Sequence, residues 1–161
     1  MWFQSPRIDG LFGANGIRVS PDGASVYFAV TRDRVEKSWI FRLPLVDAPG
    51  ENDLEEVVSW PPRDRAVPPA GADGIAFGVT GPLYVVLGGD EEIAAIDVTS
   101  GSERRFASPL LHNPTSPVFD NQTRRLLVTN HAFFDADPSC WPIVDIFVDD
   151  REAPLARPDI A

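Results

Sequence analysis

Two short elements of the sequence, Gly13-Ala14-Asn15-Gly16-Ile17 and Gly71-Ala72-Asp73-Gly74-Ile75, differ only by an amide in one and a carboxylate in the other. Side-chain oxygens of both kinds suit several oxygen-seeking cations. Asn-Gly and Asp-Gly are also ordinary turn dipeptides, favoured where φ is positive, so a single copy would carry little. Thr115 and Ser116 stand at a third equivalent position. Their hydroxyls can line a pocket or satisfy backbone groups at a strand start. His131 follows the apolar run Leu126 to Asn130 and can serve as a base, line a pocket or face solvent. Other chemistries are excluded. Cys140 is the only cysteine, which rules out a thiolate zinc cage, and His112 and His131 lack HExxH spacing. No GxSxG elbow, GxxxxGK[ST] phosphate loop or GxGxxG fingerprint occurs.

These residues recur because the chain around them recurs. Each copy leads into an apolar run, a turn (Pro21-Asp22-Gly23, then Thr80-Gly81-Pro82) and a second run, Val26 to Val30 and Leu83 to Leu87. A fainter third copy begins at Pro114-Thr115-Ser116-Pro117-Val118-Phe119 and continues through Leu126 to Thr129. From Asn15, Asp73 and Thr115 the matching Tyr27, Tyr84 and Leu127 lie 12, 11 and 12 residues on. Third strands are expected at Trp39 to Leu43, Ile93 to Val98 and Val144 to Val148, and fourth strands at Glu55 to Trp60 and Glu103 to Phe106. These runs are rich in Val, Ile, Tyr and Phe and bounded by Gly, Pro, Asp and Asn, which predicts an all-β chain with scarce helix. Repeat starts lie 58 and 42 residues apart; a propeller blade takes roughly 40–50 residues, and a loop from Val46 to Gly71 accounts for the longer first interval, so the chain holds about three. The blades are expected near 11–62, 70–109 and 113–150, with a tail at 151–161. The five prolines between Val46 and Gly71 read as a loop, as does Asp135 to Pro142. Three blades cannot close a ring, so further upstream sequence, a second copy or an open stack is implied.

Acidic residues outnumber basic ones 24 to 14, for a formal net charge of -10. A nucleic-acid partner is not expected, because phosphate binding requires a positive surface. No stretch reaches the ~20 apolar residues of a membrane span, and MWFQSPRIDG has no secretory pattern. The expected location is cytoplasmic if the start is authentic. Asn121-Gln122-Thr123 then reads as a polar turn rather than a glycosylation site.

The run Asn15-Gly16-Ile17-Arg18-Val19-Ser20-Pro21-Asp22-Gly23 resembles the NG-apolar-x-apolar-SPDG element of the senescence marker protein / gluconolactonase / luciferin-regenerating enzyme family. Ala72 to Phe77 with Leu83 to Val85, and Pro114 to Phe119 with Leu126 to Asn130, resemble its next two blades. The resemblance spans roughly residues 11 to 150 and implies the C-terminal half of a six-bladed β-propeller. It implies a divalent cation in the central tunnel, calcium foremost, with zinc or manganese in some members. By that resemblance Asn15 contributes an amide oxygen and Asp73 a carboxylate, and Asp73 also orients or deprotonates the attacking water. Further ligands, including a glutamate of the first blade, would precede Met1. The implied reaction is hydrolysis of a lactone or ester, for which the residue types, rather than the resemblance, offer Thr115, Ser116 and His131 as pocket candidates. The alternative is a non-catalytic propeller segment that serves as a binding module.

Overall fold

The computed structural model describes residues 1–10, 12–62, 71–131, 137 and 141–155. Its strands form three antiparallel meanders. The first comprises β1 (Phe12–Val19), β2 (Ser25–Arg32), β3 (Ser38–Pro44) and β4 (Glu55–Trp60). The second comprises β5 (Ala72–Phe77), β6 (Leu83–Leu87), β7 (Glu92–Ile96) and β8 (Glu103–Ala107). The third comprises β9 (Pro114–Asp120), β10 (Arg125–Asn130) and β11 (Ile143–Phe147). Among the described residues the only helical pieces are short 3-10 turns at Pro6–Ile8, Glu51–Asp53 and Gly88–Asp90.

Sheets with two apolar faces must be covered on both sides, and here successive sheets cover one another. Tyr27, Ala29, Ile40 and Trp60 of the first sheet pack on Ile75, Phe77, Leu83 and Val85 of the second. Ala76, Tyr84, Val86 and Ile93 on its other face meet Phe119, Leu126, Val128 and Val144 of the third. The repeat explains the tyrosines. Tyr27 meets Phe77 edge to face at 5.1 Å, and its counterpart Tyr84 meets Phe119 the same way at 5.3 Å. Such pairs contribute about 0.5–1.5 kcal/mol beyond burial. The far face of the first sheet (Val26, Phe28, Val30, Phe41, Leu43) is overlaid by Phe3 and Ile8. Arg7 holds that segment down, over the Phe41 ring at 5.2 Å and bonded to Leu54 O at 3.2 Å.

The strand expected at Glu55 to Trp60 forms as β4 and completes the first sheet, so the segment from Val46 to Gly71 is not wholly loop. Val98 lies beyond β7, which ends at Ile96 before a turn held by the Asp97 carboxylate. Of the loop from Asp135 to Pro142, only 137, 141 and 142 fall within the described residues, and Cys140 lies outside them. After β11 the chain turns back across the second sheet. Arg151 O accepts from Val79 N at 2.8 Å, and Ala153 N donates to Phe77 O at 2.9 Å.

Candidate metal and substrate site

The strands that begin each sheet, β1, β5 and β9, stand side by side, and each is interrupted at the same place. On β1 the pairing passes from Ala14↔Val30 to Ile17↔Phe28, leaving Asn15 and Gly16 as an insertion. On β5 it passes from Ala72↔Leu87 to Ile75↔Val85, which isolates Asp73 and Gly74. On β9 the step from Pro114↔Asn130 to Ser116↔Thr129 isolates Thr115. A bulge breaks the alternation of side chains and can aim a polar one away from the sheet. The repeated polar residue is therefore the bulge residue of each inner strand.

The glycines serve a different purpose from the one expected. Gly16 and Gly74 lie in strands and are not among the residues with positive φ. A β-carbon on Gly16 would overlap the Asp73 carbonyl oxygen and come within 2.9 Å of Gly74 Cα. One on Gly74 would overlap Thr115 O and come within 2.6 Å of Pro117 Cδ. Close approach of one bulge to the next, not turn geometry, requires glycine here.

This stacking brings Asn15 and Asp73 together. Burial pushes the Asp73 carboxyl up to about 6, opposed by a hydrogen bond from the Asn15 side chain. Among the described residues no cationic side chain pairs with Asp73. Asn15 Nδ2 also donates to Thr31 Oγ1 at 3.1 Å, and that buried hydroxyl donates to Ala72 O at 2.7 Å. Asn15 also borders a cavity of about 170 Å³ walled by Ala14, Ile17, Phe28 and Trp2.

A partly desolvated carboxylate beside an amide suits a hard cation in donor type. It supplies only part of a cage, and among the described residues no group of three or more His, Cys, Asp or Glu could hold a metal ion. The other sequence candidates are placed less closely. Thr115 Oγ1 meets Thr129 Oγ1 at 2.9 Å, while Ser116 is exposed and donates its N–H to Thr129 Oγ1 at 3.2 Å. His131 is exposed just past β10, its N–H bonded to Asn113 O at 2.9 Å. In register His131 corresponds to Thr31 of the first sheet. Thr31 escaped the sequence reading. Its only signal was a hydroxyl directly after the apolar run Val26 to Val30.

Three antiparallel meanders with adjacent first strands, each bulged at the equivalent position, define a partial β-propeller. The chain belongs to the SMP-30/Gluconolactonase/LRE-like region family, whose profile matches residues 5–132. It is similar to regucalcin from Agrobacterium tumefaciens strain C58, described as a calcium-binding protein. That likeness has 27% identity and a TM-score of 0.56, covering 77% of this chain and 40% of that one. A luciferin-regenerating enzyme is similar at 19% identity and TM-score 0.55, over 82% of this chain and 42% of that one. A chain of a nidogen–laminin complex shares the fold at 14% identity and TM-score 0.52, over 80% and 47%. The chain thus spans less than half the length of these relatives. No curated protein matches it. Among the described residues no helix is long and apolar enough to cross a membrane.

Proposed function

We propose that the chain carries part of a metal-dependent lactone or ester hydrolase site, with Asn15 and Asp73 as ligands to a divalent cation, calcium foremost. The observation that supports this most is the pairing of an uncompensated, desolvated Asp73 carboxylate with the Asn15 amide at stacked bulges. The calcium-binding description of the similar regucalcin supports calcium over zinc or manganese. Calcium takes 6–8 oxygen ligands, so water and further blades supply the rest, from more of the same polypeptide or from a second copy completing the ring.

A bound cation supplies Lewis-acid polarisation of the substrate carbonyl. Asp73 orients the attacking water and accepts its proton. Asn15, being neutral, adds a ligand without cancelling the charge of the ion. Thr115, Ser116 and His131 line the mouth on the third blade. A second reading, a propeller segment that binds partners without catalysis, rests on the same fold in the nidogen–laminin complex.

Thermal unfolding with calcium and then with chelator tests the site, because a ligand bound only by the folded state raises the midpoint. The midpoint should rise with calcium in the native protein and not in Asp73→Ala. An equal rise in both removes Asp73 from the site. Calcium binding without lactone or ester hydrolysis favours the non-catalytic reading.

A further inference from the structure

The hydrogen bonds around Thr31 fix the orientation of Asn15. A threonine hydroxyl has one proton to give. Thr31 gives it to Ala72 O, at 2.7 Å, in a buried contact between the first and second sheets. Toward Asn15 it can therefore only accept, and the 3.1 Å contact must come from Nδ2. Asn amide orientation is decided by such networks, and this one leaves a single choice. Oδ1 is turned away from Thr31, and among the described residues it accepts no hydrogen bond.

The same hydroxyl acts on the other candidate ligand. Ala72 directly precedes Asp73, and its carbonyl is the last fixed point on β5 before the bulge. We infer that Thr31 is the positioning residue of this site, its hydroxyl anchoring the backbone before Asp73 while it turns Asn15 Oδ1 toward the cation. This rests on the proposal that Asn15 and Asp73 are ligands. Thr31 itself touches neither cation nor substrate.

Calcium titration by calorimetry on the whole protein tests the inference through affinity, with no need for a turnover assay. Thr31→Val keeps the shape and removes the hydroxyl, and should weaken calcium binding about tenfold. Thr31→Ser restores the hydroxyl and should bind within about twofold of the native protein. An Asn15→Asp background separates positioning from general damage. There both terminal atoms are oxygens and no amide remains to orient, so Thr31→Val should lose only the share of affinity that the Ala72 anchor supplies, a smaller loss than in the native background. An undiminished loss in that background would mean that the hydroxyl does not act through Asn15 and would overturn the inference. So would unchanged binding in Thr31→Val when Asn15→Ala and Asp73→Ala abolish it, and that result would leave the site standing. A native protein that binds no calcium overturns both the inference and the reading beneath it.

Discussion

Gly16 of the first blade lies against the backbone of Asp73 in the second so closely that a methyl group at Gly16 would overlap the Asp73 carbonyl oxygen. Gly74 repeats the relationship against Thr115 in the third. The dipeptides that look like turns are contact points between blades, and the residue preceding each glycine is the one the bulge redirects. This close packing sets the Asn15 and Asp73 side chains next to each other.

Gly16→Ala and Gly74→Ala should each destabilise by about 1–3 kcal/mol, because the obstructing atoms are backbone and cannot swing aside. Gly50→Ala is the matched comparison. Its β-carbon would meet only Asp53 Oδ2 at 3.5 Å, and the change should stay within about 0.5 kcal/mol. Urea unfolding of the three variants reads the difference, and equal midpoints would contradict the close-packing account.

Asp73 should destabilise the metal-free protein. Its carboxyl is raised from 3.8 to about 6 by burial, so the folded state resists ionisation more than the unfolded chain does. The stability associated with the protonated form is fully present below about pH 4 and is lost as pH rises through about 6. In chelator, Asp73→Asn should therefore gain stability over the native protein across that window and hold a constant advantage above it. Allowing for solvent screening of a partly buried group, the gain should be about 1–2 kcal/mol. The same variant should lose the rise in midpoint with calcium. A stability difference that shrinks as pH rises would reverse the sign and reject the account.

Asp150 should anchor the returning C-terminal segment. It is 2% exposed and accepts from Thr80 Oγ1 at 2.6 Å and Tyr84 Oη at 3.2 Å. Asp150→Ala strands those donors and should cost about 2–4 kcal/mol in thermal or urea unfolding.

The two interblade tyrosines should respond unequally to loss of their hydroxyls. Tyr84→Phe removes a hydrogen bond to Asp150 and should cost about 1–2 kcal/mol. Tyr27 makes the same edge-to-face ring contact, and among the described residues its hydroxyl has no hydrogen-bond partner. Tyr27→Phe should then change stability by less than about 0.5 kcal/mol. Equal costs would mean that ring packing alone accounts for both.

Much of the architecture was legible because it is local and repeated. Alternating apolar runs between Gly, Pro and Asp turns specify strands, and the spacing from Asn15, Asp73 and Thr115 to Tyr27, Tyr84 and Leu127 specifies equivalent blades. Asn15 and Asp73 stood out for the same reason, since a repeat makes a variable polar residue visible against a constant frame. Contacts between blades left no such trace. Thr31 reaches Ala72 across 41 positions and Tyr84 reaches Asp150 across 66, and nothing in the repeat spacing marks either pairing. The role of Gly16 and Gly74 was equally hidden. A sequence shows that a residue lacks a side chain, whereas only the packed sheets show which neighbouring backbone fills that space. Strand identity follows from each segment's own residues, while the orientation of a ligand amide depends on the one hydroxyl that folding places beside it.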